Sequence, residues 1–269
     1  MPANRAVDVE QEAARLAASV RDAGALALSM FGRPIRNWTK LESSPVSEAD
    51  IAVNQLLQER LANENSAIAW LSEESIDDPS RLDARYIWIV DPIDGTRAYL
   101  AGGSDWSVSV ALVEQSRPIA ACLYAPVSDL FFLAIAGNGA TCNGVPIAAT
   151  RGASLAGSRI TGPRKFVDRL SMQEPSFSVI PRVRSLALRL AQVAKGDCDI
   201  AIAGPNSHDW DLAAADLLVH EAGGVVAPLG GGSVAYNCPV PRHGTLIATG
   251  RDRFAAFAEL FGDERLASS

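Results

Sequence analysis

The sequence has 269 residues, 48% hydrophobic and 20% charged, with a formal net charge of −7. That balance fits a globular chain and excludes collagen-like, coiled-coil and disordered polymers. The acidic excess argues against a nucleic-acid polymer as ligand, since such proteins present a basic stripe. It is compatible with a small phosphate if bound cations reverse the local field.

No apolar run reaches the roughly eighteen residues of a membrane helix, so no membrane partner is expected. Residues 1–12 carry acids and no apolar core, unlike a secretory signal, and the expected location is the cytoplasm. Cys122, Cys142, Cys198 and Cys238 never form a C-x-x-C pair and read as free thiols. His208, His220 and His243 are too few for a histidine-rich metal centre.

In chain order, Ala13, Leu16, Ala17, Val20, Ala23, Ala27 and Met30 recur at helical steps over 9–31, and Gly32 and Pro34 stop that helix. A second helix is predicted over 50–62 and a short strand over 67–71, followed by Glu73 and Glu74. Residues 86–90 (YIWIV) read as a strand that Asp91-Pro92 should end. From 106 to 133 the pattern is strands divided by turns at 116–118 and 126–129, and 137–144 (GNGATCNG) is a turn region.

Beyond about residue 150 the rhythm changes to alternating strand and helix. Strands are predicted over 158–161, 177–180, 199–203 and 245–249. Helices are predicted over 165–170, 184–195, 210–222 and 253–261. This change of pattern divides the chain into an N-terminal α+β part, 1–150, and a C-terminal α/β part, 151–269, with a cleft between them.

The chemistry concentrates in WIVDPIDGT, residues 88–96. Asp91 and Asp94 leave a strand together, Gly95 permits close backbone approach, and Thr96 adds a hydroxyl and an N–H at a helix start. Carboxylates and carbonyls suit hard cations such as magnesium, and N–H groups suit phosphate oxygens. Read as separate dipeptides, D-P and D-G are ordinary turns. Likewise Glu73 and Glu74 can be a solvated loop, and Asp211 can be a helix cap.

Three strings taken together, WLSEES, WIVDPIDGT and WDLAAADLLVHEAGG, resemble the inositol monophosphatase family over nearly the whole chain, with SPVSEAD and GNGATCNG in support. The resemblance implies a layered αβαβα sandwich with the site between two sub-domains, two or three Mg²⁺ ions, lithium sensitivity and a homodimer. It implies that Glu73, Asp91, the Ile93 carbonyl, Asp94 and Asp211 hold the metals. Ile93, Asp94, Gly95, Thr96 and Asp211 would contact substrate. Asp50 would hydrogen-bond Thr96, and Glu73 with Thr96 would activate the attacking water. Glu74 is expected to stand behind these ligands, and Arg97 is either a substrate contact or a solvated turn residue.

Gly204, in AGPNSHDWD, occupies the substrate-binding position where inositol phosphatases carry a glutamate. That stretch and DGTRAYL resemble the 3′(2′),5′-bisphosphate nucleotidase branch, so the expected substrate is adenosine 3′,5′-bisphosphate, a small-molecule phosphate ester. The alternatives are inositol 1-phosphate, histidinol phosphate, or a non-catalytic binding protein that keeps the fold.

Overall fold

The computed structural model describes residues 7–40, 45–62 and 68–261. Residues 1–6, Ser44 of SPVSEAD and Ala67 of the predicted 67–71 strand lie outside the described residues. The N-terminal elements are α1 (Val9–Met30), β1 (Asn37–Thr39), β2 (Pro45–Ser47), α2 (Glu48–Leu61), β3 (Ile68–Ser72), β4 (Tyr86–Asp94), α3 (Thr96–Leu100), β5 (Ser107–Glu114), β6 (Arg117–Ala125), β7 (Leu130–Ile135), β8 (Ala140–Cys142) and β9 (Val145–Pro146). There follow β10 (Arg159–Thr161), α4 (Arg164–Gln173), β11 (Ser178–Val179), α5 (Leu186–Lys195), β12 (Ile200–Ala203), β13 (Ser207–His208), α6 (Asp209–Glu221), β14 (Gly224–Pro228), β15 (Arg242–His243), β16 (Leu246–Gly250) and α7 (Arg251–Phe261).

Strands β3 to β9 form one sheet in sequence order, antiparallel except for the parallel pair β3–β4. A second, mixed sheet has the order β11-β10-β12-β16-β14. Because successive side chains on a strand face opposite ways, each sheet supplies two cores. From β4, Trp88 and Val90 pack with Leu16 and Val20 of α1 and Val53 and Leu57 of α2. Ile87 and Ile89, on the other face, pack with Leu190 and Val193 of α5 and Leu212 and Leu218 of α6. The inner face of the second sheet, Ala201, Ala203 and Ala248, closes that same core. Its outer face, Ile200, Ile202 and Ile247, meets Val167 and Leu170 of α4 and Phe257 and Phe261 of α7. The result is the expected αβαβα sandwich, with α5 and α6 as its middle layer.

Several local readings change: β8 lies inside the expected turn region 137–144, and the short strands β1, β2, β9, β13 and β15 were unforeseen. Four further changes bear on the site or the sheets. Pro92 does not end β4, because the strand runs to Asp94 with a register shift between Asp91 and Asp94. Asp91 pairs with Ser109 and Asp94 with Ser107, so Pro92 and Ile93 oppose Val108 alone. That is a bulge, the setting in which a buried strand tolerates a proline that cannot donate to the ladder. Second, α2 begins before Asp50, because Ser47 caps it in a capping box with Asp50. Third, α5 begins at Leu186 rather than 184, since the Ser185 hydroxyl accepts from Leu188 N at 3.0 Å and sets the cap there. Fourth, β14 was not expected; its glycine start and proline end hide a strand that pairs with β16 along its length.

Candidate active site

The bulge in β4 delivers Asp91 and Asp94 to one end of the first sheet, where the N-termini of α5 and α6 converge. Ligand oxygens of Asp91, Asp94 and Asp211 all lie within 4.8 Å of one another. They line a cavity of about 670 Å³ together with Pro45, Glu73, Gly95, Thr96, Arg97, Arg182 and Arg184. Residues far apart in sequence, Glu73, Asp91, Asp94, Thr96 and Asp211, thus line one cavity.

Each carboxylate has a different local support. Asp94 Oδ2 accepts from the Ser185 hydroxyl at 2.7 Å and from Ala187 N at 2.6 Å. Asp211 Oδ2 accepts from His208 N at 2.6 Å, so the helix-capping reading of this aspartate holds for one oxygen while the residue also faces the cavity. Asp91 is 1% exposed, and its Oδ1 has no hydrogen-bond partner among the described residues. A buried carboxylate oxygen left unpaired is costly unless another group completes it.

The two adjacent glutamates part company. Glu73 lines the cavity, with Lys40 Nζ at 3.7 Å from its Oε1. Glu74 turns away and pairs with Lys40 at 2.6 Å, its side chain nearly buried. Lys40 also donates to the Glu73 carbonyl at 3.0 Å, fixing the turn after β3.

Asp50 is held by α2's own cap: its Oδ2 accepts from Ser47 N at 2.8 Å and from the Ser47 hydroxyl at 2.5 Å. That leaves Oδ1 to accept from Thr96 Oγ1 at 3.1 Å, as the resemblance implied. The same hydroxyl lies 3.1 Å from the carbonyl of Ile93, a fully buried residue. Gly95 precedes α3 with φ +97°, and a Cβ there would stand 2.9 Å from the Asp105 carbonyl. Only glycine fits this turn without displacing backbone.

Burial and mutual repulsion dominate the electrostatics. Glu73 is pushed up to about 8, by burial first and by Glu74 and Asp211, against the opposing pull of Lys40. Asp94 is pushed up to about 7 by burial and by Asp211. Asp91 is raised well above the usual carboxylate range by burial and its neighbours Glu73 and Asp94. Asp50 is raised by burial, partly offset by its hydrogen bonds from Ser47 and Thr96. A cluster of hard oxygen donors that resists carrying its own charge, with one oxygen unpaired, fits a divalent cation.

Gly204 follows β12, where an added Cβ would meet Pro163 at 3.4 Å and Phe166 at 3.9 Å. That is ordinary contact distance, so the backbone does not require glycine here. His208 stacks on Trp210 with rings 4.5 Å apart and accepts from Arg242 Nε at 3.1 Å. All four cysteines are free.

Sequence reasoning missed Lys40, Arg182, Arg184 and Ser185. For Ser185 a signal existed, since a serine just before a helical run is a cap candidate.

The fold agrees with comparisons to known proteins. The inositol monophosphatase family matches residues 8–262. The chain belongs to that family, whose members are phosphatases, and it is a hydrolase. A Streptomyces griseus protein named glucose-1-phosphate thymidylyltransferase is 37% identical over 219 residues, covering 78% of this chain and 83% of that one. A 3′(2′),5′-bisphosphate nucleotidase CysQ of Aggregatibacter actinomycetemcomitans is 29% identical over 226 residues, covering 77% and 80%. The crystal structure of extragenic suppressor protein suhB from Bartonella henselae superposes with a TM-score of 0.82 at 26% identity, covering 93% of this chain and 98% of that one.

Proposed function

We propose that this phosphatase is a Mg²⁺-dependent 3′(2′),5′-bisphosphate nucleotidase that hydrolyses adenosine 3′,5′-bisphosphate to AMP and phosphate. The observation that carries the hydrolytic part is the convergence of Asp91, Asp94 and Asp211 on one cavity with Glu73 and Thr96. The choice of substrate is supported by Gly204, which supplies no carboxylate for a sugar hydroxyl, and by the similarity to a nucleotidase.

Asp91, Asp94, Asp211 and Glu73, with the Ile93 carbonyl, would hold the cations. When bound, these ions supply Lewis-acid stabilisation of the phosphoryl oxygens and make water more acidic. The chain's own residues do the rest. Asp50 and the Ile93 carbonyl take the Thr96 hydrogen, leaving that hydroxyl oxygen to accept a hydrogen bond from water and orient it. Glu73, a carboxylate on the same cavity, receives the proton. The backbone N–H groups of Gly95 and Thr96 bind phosphate oxygens at the cavity wall. The bulge at Pro92 and the Ser185 and Ala187 bonds to Asp94 hold these parts in place before substrate arrives.

The test is phosphate release from adenosine 3′,5′-bisphosphate and inositol 1-phosphate side by side, with Mg²⁺ and with chelator. The expected result is a clear preference for the nucleotide, abolished by chelator and inhibited by millimolar lithium. Preference for inositol phosphate would overturn the substrate, and release unaffected by chelator would overturn the metal. No release from either ester would favour a non-catalytic binder.

A further inference from the structure

Arg182 and Arg184 line the cavity that holds the carboxylate cluster, and the hydrolytic reading gives neither of them a task. Both are exposed, whereas Asp91, Asp94 and Thr96 on the same cavity are buried. The carboxylates thus form the floor, and the arginines stand toward the mouth. No hydrogen bond or ion pair to a described residue engages either guanidinium.

The segment that carries them is built rather than loose. Val183, between the two arginines, is half-buried against the central core. Its carbonyl accepts from Arg189 Nε at 3.0 Å, and Arg189 Nη1 also donates to the Ile202 carbonyl at 3.0 Å. Arg189 is 2% exposed, so a buried guanidinium ties the backbone between the two arginines to β12. On either side, Thr161 Oγ1 donates to the Pro181 carbonyl at 3.4 Å, Arg184 N to Asp105 Oδ2 at 2.8 Å, and Ser185 N to the Asp105 carbonyl at 3.1 Å. The backbone is pinned at Pro181, Val183, Arg184 and Ser185, while the two charged side chains are left to the cavity.

Two cations placed just before a helix start work against its dipole, so their position is not explained by the stability of α5. Guanidinium forks match phosphate and carboxylate oxygens two at a time. We infer that Arg182 and Arg184 form a second anion subsite at the cavity mouth, which recognises a phosphate or carboxylate other than the one hydrolysed. The substrate class is then a phosphate monoester carrying a second anionic group, and a monoester of a neutral polyol leaves the subsite unfilled. This deepens the reading above and rests on it for the location of the reacting phosphate at the carboxylate floor.

The test compares wild type with Arg182→Gln/Arg184→Gln on two probes, adenosine 3′,5′-bisphosphate and adenosine 3′-monophosphate. The ratio of kcat/KM for the bisphosphate to that for the monophosphate is expected to fall about tenfold or more, mainly through KM. The Arg182→Lys/Arg184→Lys variant, which keeps the charge, should recover part of the ratio. An unchanged ratio overturns the subsite, whether both substrates lose activity equally or neither does. Binding of the same probes by calorimetry, with Ca²⁺ as a hard oxygen-seeking cation, reads the subsite without turnover. About tenfold weaker bisphosphate affinity in the glutamine variant is expected there, and equal affinities overturn it. Failure of the phosphatase reading has a separate signature: wild type releases no phosphate from either ester while the calorimetric difference persists.

Discussion

Asp199 and Asp94 are buried aspartates beside the two sheets, and the fold treats them in opposite ways. Asp199 accepts from Arg159 N at 2.8 Å, Arg159 Nε at 2.9 Å, Arg159 Nη2 at 3.1 Å and the Thr150 hydroxyl at 2.6 Å. Burial alone would raise its pKa, but the Arg159 and Thr150 hydrogen bonds hold it at about 2. Asp94 has a hydroxyl and one backbone N–H on a single oxygen, and Asp211 beside it. Burial and that second carboxylate push it up to about 7. A carboxylate with a complete donor set is architecture; one left incomplete among its own kind is a place for something else to bind.

Asparagine at each position separates the two uses. Asp94→Asn is expected to lower kcat by on the order of a hundredfold or more, because a proposed cation ligand is lost. Its melting temperature in chelator should not fall, since the substitution removes a repelled charge. Asp199→Asn is expected to do the reverse, costing about 1–3 kcal/mol of stability, toward the lower end because the Arg159 pair is partly exposed. Its turnover per folded molecule should stay within roughly twofold, because Asp199 does not line the cavity. Phosphate release and thermal melts in chelator check both.

The pH dependence of stability sharpens the contrast. Glu73, Asp91 and Asp94 are raised in the folded chain, so between the ordinary carboxylate range and about 8 the folded state binds more protons than the unfolded one. Stability in chelator must therefore fall as pH rises from about 5 to about 8. Asp216, raised to about 6 by burial, adds to the same trend. Asp199 contributes nothing to the slope there, because its folded value of about 2 and its ordinary value of 3.8 both lie below the window. Its stabilisation is lost only as pH falls toward about 2. Melting curves in chelator should show the decline, Mg²⁺ should shrink it, and Asp94→Asn should flatten it.

The smallest expected effect is that of Ser185→Ala. It removes the cap of α5 and one of the two bonds to Asp94, at a cost of about 1 kcal/mol. Turnover should drop only severalfold, because Ala187 N still holds Asp94. A variant as inactive as Asp94→Asn would show that the serine, not the carboxylate, sets the geometry.

The part of the floor that DPIDGT supplies was legible because two carboxylates, a glycine and a threonine sit in one short string. Glu73 and Asp211 come from separate elements and were named as ligands only through the family resemblance. Asp50 was named through the family resemblance alone; its capping box with Ser47 was not read, which is why the helix was expected to begin two residues late. The mouth was not. Arg182 and Arg184 fall between a short strand and a helix, and nothing in their neighbours shows that Arg189 and Asp105 pin them to the cavity. Pro92 misled because a proline reads as a strand end, whereas a bulge is visible only once β5 lies alongside. β14 was hidden because its ladder partner, β16, comes later in the chain.

Ser185 and Ala187 reach back 91 and 93 residues to grip Asp94. A chain emerging from the ribosome therefore displays WIVDPIDGT long before the helices that complete it exist. At that stage Asp94 is an ordinary solvated aspartate with no second carboxylate beside it and no cradle for an ion. The contact that closes the middle layer of the sandwich is also one that supports the carboxylate cluster, so folding of the later half and assembly of the proposed site are a single event.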